Sequence, residues 1–260
     1  MKFSIIINCY NTLPLIKKCV TAALGTTIES SEILLINNHP PYPEVESFLK
    51  SMKHPRIKVL DPGRNLGCTL GFQYGAERAT GEYLVKLDDD TIVPNTNWIQ
   101  AMYQALKDFP ELAYVGLVVP MYRLGRFRQV VKPRYVLEFY EDKVHFACIM
   151  IKRSLWRIHF IIPSQSLYGD DEHFYMEKAK TLGMKKGYLV SHQCEHLARL
   201  PESDPLYGAW KIFYLANHTR ADFAQWRKTF TLGESEMRIF KQFNYPEDQI
   251  RLIKTILSKE

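Results

Sequence analysis

Phe3-Ser4-Ile5-Ile6-Ile7 and Glu32-Ile33-Leu34-Leu35-Ile36 are nearly unbroken apolar runs. That is the pattern of strands buried on both faces, not the alternation of a half-exposed sheet. Each run ends abruptly in a polar or breaking segment, Asn8 to Pro14 after the first and Asn37-Asn38-His39-Pro40-Pro41 after the second. Helices are predicted over residues 15–24 and 44–52, and from 65–67 to 79. Ile57-Lys58-Val59-Leu60 predicts a short third strand. Gly81 then ends the third helix ahead of a fourth strand, Glu82 to Leu87. Farther along, helices are expected over 98–107 and 170–182, and strands over 113–119, 145–151 and 188–191. Arg123 to Lys132 reads as a basic, irregular, mobile loop, and the chain from Pro205 onward as helical, aromatic and basic.

Strands alternating with helices at this spacing predict an α/β protein with a parallel, doubly wound sheet. Ligands of such sheets bind at the carboxyl ends of the strands. Four polar segments follow predicted strand ends: Asn8-Cys9-Tyr10-Asn11, Asn37-Asn38, Arg64-Asn65 and Asp88-Asp89-Asp90. Together they outline one crevice. In the last of them, three adjacent carboxylates repel one another unless a cation lies between them, and a hard divalent ion with oxygen ligands suits the gap. Such an ion can hold a diphosphate. A solvated acidic turn is the plainer alternative. Asp88 and Asp90 share a face if the segment is extended, with Asp89 turned toward a donor sugar or ribose.

At 260 residues the chain suffices for one large α/β domain, alone or with a small appendage. Its net charge of +6 suits a polyanionic substrate or an anionic membrane surface, and equally a solvated surface. The basic residues do not concentrate on one readable element, so no nucleic-acid partner is expected. Cys9, Cys19, Cys68, Cys148 and Cys194 are widely spaced, with no CxxC pair, which argues against zinc or a redox dithiol and for reduced thiols in a cytoplasm. Asn8 and Asn11 break the first apolar run too early for a signal peptide, and no run reaches transmembrane length. A soluble, cytoplasmic protein is therefore expected, with contact at the inner face of a membrane left open. Trp210, Phe213, Tyr214, Phe223 and Trp226 form either a core-facing stripe or a membrane anchor.

The order of these pieces resembles family 2 inverting glycosyltransferases of the GT-A fold, over roughly residues 3–218. Phe3 to Asn11 looks like that family's first strand and nucleotide-binding loop. Asn65-Leu66-Gly67, with Gly71 and Gly75, resembles its N-x-G segment, and Gly81 to Asp90 its D-x-D strand. Tyr168-Gly169-Asp170-Asp171 is similar to the segment that carries the catalytic carboxylate. His196 falls where the family often places a histidine, and Ala216-Asn217 resembles an Arg-Asn pair with Ala in place of Arg. The resemblance implies a GT-A domain over residues 1–200, divided into a nucleotide-binding half (1–95) and an acceptor half (96–200), with a helical C-terminal extension over 201–260.

It further implies a sugar transfer from a nucleoside-diphosphate sugar to a hydroxyl of a glycan or lipid-linked acceptor, in surface polysaccharide, lipopolysaccharide or glycan assembly. Asp171 is then the general base, with Asp170 beside it raising its pKa by like-charge repulsion. Asp90, Asp88 and His196 would hold Mn2+, or Mg2+, with His192 as the competing ligand. In the donor pocket, Tyr10 would stack on the base, Asn38 would bond its edge and Arg64 would reach base or phosphates, alongside Asn8, Asn37, Asn65 and Asp89. Asn8 replaces a common Pro, and Asn37 or Asn38 a common Asp, so uridine is expected and thymidine stays open. The glycines Gly67, Gly71 and Gly75 are expected to pack helix against sheet rather than to bind phosphate. Two rivals remain: a sugar-1-phosphate nucleotidyltransferase, which would need a Gly-rich basic loop where Asn8 to Thr12 stands, and a non-catalytic glycan-binding protein of the same fold.

Overall fold

The computed structural model describes residues 2–10, 12–26, 28–40, 43–120, 123, 125–141, 144–163 and 171–197. All belong to the first of the two compact units into which the chain divides, Met1–Leu197 and Ala198–Glu260. Asp170, the rest of Tyr168-Gly169-Asp170, Ala216-Asn217, the aromatic stripe and the expected extension over 201–260 lie outside the described residues.

The apolar runs form the strands they predict. β1 (Phe3–Cys9), β2 (Ser31–Asn37), β3 (Ile57–Leu60) and β4 (Tyr83–Leu87) lie side by side in the order β3-β2-β1-β4, all parallel. The crossovers are α1 (Leu13–Thr26), α2 (Pro43–Ser51) and α3 (Gly67–Arg78). Because β2 and β4 flank β1 on opposite sides, the winding reverses at β1, and a crevice opens at the carboxyl ends of β1 and β4.

The second half runs β5 (Thr91–Ile92), α4 (Trp98–Asp108), β6 (Leu112–Val118), β7 (Phe127–Lys132), β8 (Tyr135–Tyr140), β9 (Cys148–Lys152), α5 (Arg153–His159), α6 (Asp171–Thr181), β10 (Lys185–Gln193) and β11 (Glu195–His196). It extends the sheet to nine strands, continuing β4-β9-β6-β10-β8-β7. β9 runs antiparallel to both β4 and β6, while β6 and β10 pair in parallel. The sheet is thus mixed, with mostly parallel strands, flanked by helices. No helix among the described residues is long and apolar enough to cross a membrane.

One expectation fails in this half. Residues 127–132, read as part of an irregular loop, are an edge strand paired antiparallel with β8. The cationic side chains that hide it lie along aromatic rings, Arg128 4.9 Å from the Phe139 centroid and Lys132 5.4 Å from that of Phe109. Charge on an edge strand also discourages pairing with other chains.

Two features set the height of α3 over the sheet. A Cβ at Gly75 would lie 2.6 Å from Ile6 Cγ2, and one at Gly71 would overlap the Asn8 amide. The expectation that these glycines serve close packing therefore holds geometrically. Gly67 starts α3 at φ 72°, a left-handed value that favours glycine.

Away from the crevice, the carboxylate of Glu32, 1% exposed, joins three strands. Its Oε1 accepts from Ser4 Oγ (2.7 Å), Thr80 N–H and Thr80 Oγ1 (both 2.6 Å), and its Oε2 from Lys58 Nζ (2.9 Å). Burial alone would raise this carboxyl, but those donors outweigh it and hold it at about 2, against an ordinary 4.5. A depressed folded-state pKa stabilises the protein above the unfolded value and loses that stability as pH falls through the folded value. Between pH 4.5 and 2 the wild type is expected to lose about 3 kcal/mol more than Glu32→Gln in urea titrations. Equal losses in the two proteins would refute this.

Candidate active site

The crevice is lined by strand ends whose side chains first hold one another. Asn8 Nδ2 and Asn38 Nδ2 both donate to Gly67 O, at 2.7 and 3.3 Å. Asn38 Oδ1 accepts from Leu66 N–H (2.7 Å), and Asn65 Oδ1 from Gly67 N–H (2.7 Å). Three asparagines from three segments thus clamp the turn that starts α3. Asn38 thus bonds that turn through both ends of its amide and supports the pocket wall. Asn37 Nδ2 donates to Asp61 Oδ2 at 3.1 Å, and its buried Oδ1 has no hydrogen-bond partner among the described residues. Arg64 is exposed on the loop between β3 and α3.

Asp61 escaped the sequence reading. It follows β3, caps the Gly63 amide (2.7 Å), bonds Asn37 and pairs with His39 Nε2 (2.9 Å). These contacts, led by the Gly63 amide, lower its pKa. They also hold His39 at φ 49°, rare for a residue other than glycine. The Asp61-Pro62-Gly63 sequence was the available signal, since Asp before Pro-Gly favours a side-chain-capped turn.

The acidic cluster follows β4 directly. Asp88 and Asp90 converge by a turn, not by the alternation of an extended strand. Thr91 N–H bonds back to Asp88 O at 3.0 Å, which folds the three aspartates over. Asp89 turns toward the first loop, where its Oδ2 accepts the Tyr10 N–H at 2.7 Å. Cys19 Sγ donates to Asp88 O at 3.3 Å from beneath. All five cysteines are free, and every one but Cys68 is buried.

His196 reaches the cluster through a two-residue ladder in which β11 pairs antiparallel with β5, placing His196 opposite Thr91. Leu197 N–H fastens the chain further by bonding Asp90 O at 2.8 Å. His196 Nε2 lies 3.1 Å from Asp90 Oδ1. One ligand atom from each of Asp88, Asp90 and His196 falls within 4.8 Å of the others. Two carboxylates and an imidazole at that spacing fit one divalent ion. His192, the competing candidate, instead sits beside Ser191, Nδ1 to Oγ 2.9 Å.

Asp171 opens α6 and is 8% exposed. Its helix rests on an edge-to-face aromatic group, with Tyr175 4.9 Å from Phe146 and 6.0 Å from Tyr114. Burial raises the Asp171 pKa, the Lys86 ammonium opposes that, and Glu172 adds to it, for a net increase. Asp88 is likewise raised, by burial and by Asp90, against Lys86. Lys86 lies between the two, 2.5 Å from Asp88 Oδ1 and 3.8 Å from Asp171 Oδ2. Burial disfavours its charge, but Asp88 and Asp171 outweigh burial and keep it protonated. The sequence did carry a signal for it, a lone lysine inside the apolar strand Tyr83-Leu84-Val85-Lys86-Leu87.

The chain is similar to several known proteins. Glycosyltransferase GlyG of Streptococcus pneumoniae is 29% identical over 108 residues, 40% of this chain and 35% of its own. The uncharacterized glycosyltransferase EpsJ of Bacillus subtilis is 30% identical over 118 residues, 44% and 32% respectively. The poly-beta-1,6-N-acetyl-D-glucosamine synthase of Staphylococcus epidermidis is 22% identical over 136 residues, 52% and 32%. The matches thus span about a third of the length of these curated relatives.

Among solved structures, the fold is shared with mannosyltransferase PcManGT from Pyrobaculum calidifontis in complex with GDP-Man and Mn2+ (TM-score 0.63, 17% identity, 84% of this chain and 62% of that one). It is shared also with GalNAc-T7 with UDP, GalNAc and Mn2+ (0.61, 15%, 76% and 43%) and with S. aureus TarS 1-349 in complex with UDP-GlcNAc (0.55, 15%, 98% and 79%). These are GT-A glycosyltransferases. The model of one sequence family, described as glycosyl transferase family 2, matches residues 4–169, and the chain belongs to that family.

Proposed function

We propose that the protein transfers a sugar from a nucleoside-diphosphate sugar to a hydroxyl acceptor, with inversion at the anomeric carbon. The observation that carries this reading is the Asp88–Asp90–His196 cluster at the carboxyl end of β4, linked through Lys86 to the buried Asp171. A divalent cation held by those three residues would supply positive charge to the departing diphosphate.

The chain's own groups do the rest. Asp171 takes the proton from the acceptor hydroxyl as its oxygen bonds the anomeric carbon, while the bond from that carbon to the diphosphate oxygen breaks and the nucleoside diphosphate leaves. A raised pKa suits this role, because it brings the base nearer neutral pH. Asn8, Asn38 and Asn65 hold the Leu66-Gly67 turn that lines the donor side. Asp89 holds the Tyr10 loop, from which the tyrosine ring would stack on the base.

Support for a UDP-sugar donor comes from the fold shared with GalNAc-T7 with UDP and with TarS with UDP-GlcNAc, and support for manganese from GalNAc-T7 and PcManGT, both with Mn2+. Thymidine is the second base to test. A polysaccharide acceptor, free or lipid-linked, is the reading suggested by the poly-beta-1,6-N-acetyl-D-glucosamine synthase relative. The free thiols suit a reducing cytoplasm, and a lipid-linked acceptor would bring the protein to the inner membrane face. Residues 1–200 would form the transferase domain and 201–260 an extension; Asp170 would be the acidic neighbour of the base.

A thermal-shift screen of UDP, dTDP, GDP and their sugars, with and without Mn2+, tests the proposal. The correct donor at 100 times its Kd is expected to stabilise the fold by about 2.7 kcal/mol, in the presence of metal only. A sugar 1-phosphate and a nucleoside triphosphate are expected to release no pyrophosphate. Stabilisation by no nucleotide, or pyrophosphate release, would overturn the reading.

A further inference from the structure

Lys86 has no part in the reaction just described, yet it touches both halves of the site. It lies next to last on β4, in register with Ile149 of β9, and its side chain is 9% exposed. An ammonium has three donors and no acceptor. One donates to Asp88 Oδ1 at 2.5 Å and another to Phe146 O at 2.9 Å, with Asp171 Oδ2 at 3.8 Å. The Phe146 residue is held from the other side as well, since its N–H donates to Glu172 Oε1 at 3.1 Å. Glu172 follows Asp171 at the start of α6 and also meets His145 Nδ1 at 3.0 Å. The path from the strand that carries the aspartate cluster to the helix that carries Asp171 thus runs through one lysine and one backbone unit.

A buried charge is expensive unless paired, and this strand position would otherwise suit an apolar residue. Asp171 is buried and Asp88 is partly exposed; two like charges at such a site repel, and one ammonium between them draws both inward. We infer that Lys86 is a positioning residue whose ammonium sets the separation between Asp88 and Asp171, and so the gap in which the anomeric carbon is held. The inference rests on the roles proposed above for those two aspartates. Lys86 itself meets no reacting atom.

The test compares wild type with Lys86→Met, which keeps the stem and removes the charge, and Lys86→Arg, which keeps the charge and moves it. Three quantities are read: kcat and KM for Mn2+-dependent hydrolysis of a UDP-sugar panel, calorimetric binding of Mn2+ with UDP, and the Asp88–Asp171 separation in crystals. A misplacement of about 1 Å costs about 100-fold in rate. At saturating Mn2+, Lys86→Met is therefore expected to lose about 100-fold in kcat with KM for the nucleotide sugar within about threefold of wild type, and Mn2+ binding is expected to change too, because Asp88 is one of the three residues proposed to hold the ion. Lys86→Arg is expected to recover about tenfold of that loss. An unchanged kcat, or a loss confined to KM, overturns the inference. If Lys86→Met does not fold, Lys86→Arg is read by the same division between kcat and KM. A wild type that turns over no nucleotide sugar defeats the proposed function instead. The crystals then decide alone: a shift of about 1 Å in the separation supports the role, and an unchanged separation overturns it.

Discussion

Asp171→Asn is expected to bind donor and metal normally and to lose between about 100- and 10,000-fold in transfer rate, the usual range for removing a positioned general base. The substitution preserves size and removes only the ability to take a proton. The Lys86 ammonium keeps its bonds to Asp88 and to Phe146 O, and Asp88, Asp90 and His196 are untouched, so the donor side stays built. Calorimetry with UDP and Mn2+ would show an unchanged affinity beside the collapsed kcat. Asp171 must be ionised to act, and its pKa lies above the ordinary 3.8 because burial outweighs the Lys86 ammonium. The wild-type rate is therefore expected to fall as pH drops through a value higher than that of an exposed aspartate, and the acid limb of kcat to vanish in Asp171→Asn. Normal transfer by this variant would remove Asp171 from the mechanism and leave the base among the other acids at the start of α6.

Asp90→Ala is expected to abolish the Mn2+-dependent part of donor binding. Asp90 is 7% exposed and stands 3.1 Å from His196 Nε2 at the centre of the cluster. Its removal leaves one carboxylate and one imidazole, and that carboxylate already shares an oxygen with Lys86. The bond from Leu197 N–H goes to the Asp90 backbone oxygen and survives, so the fold should too. A wild-type stabilisation of about 2.7 kcal/mol by saturating UDP and Mn2+ is expected to shrink to the value seen without metal. If the variant kept full metal-dependent stabilisation, the cluster would not be the cation site.

Much of the fold could be read from the chain because the crevice strands are buried on both faces. Runs such as Ile5-Ile6-Ile7 and Leu34-Leu35-Ile36 leave no other packing, and each ends sharply in Asn or Asp. The β7–β8 hairpin could not be read so, because Phe127-Arg128-Gln129-Val130-Val131-Lys132 has no clear apolar face, and its Arg128 and Lys132 find their partners in the rings of Phe139, across the hairpin, and Phe109. The bonds of Asn38 were hidden for a related reason: an amide at a strand end can face a ligand or a neighbouring turn, and only the position of Leu66-Gly67 shows that it holds the turn.

The amino-acid order alone determined which carboxylates sit at a strand end, since apolar runs must be buried and charged residues must follow them out. It could not choose between His192 and His196, four residues apart on one strand exit. The pairing of β11 with β5, a contact between segments about a hundred residues apart, 91–92 and 195–196, is what brings His196 beside Asp90. Nor could it show that Lys86 bridges two aspartates, because Asp171 comes from a helix far along the chain and meets the lysine only when β9 closes against β4. Electrostatic partnership depends on distance through space, and sequence spacing reports that distance only within a single element.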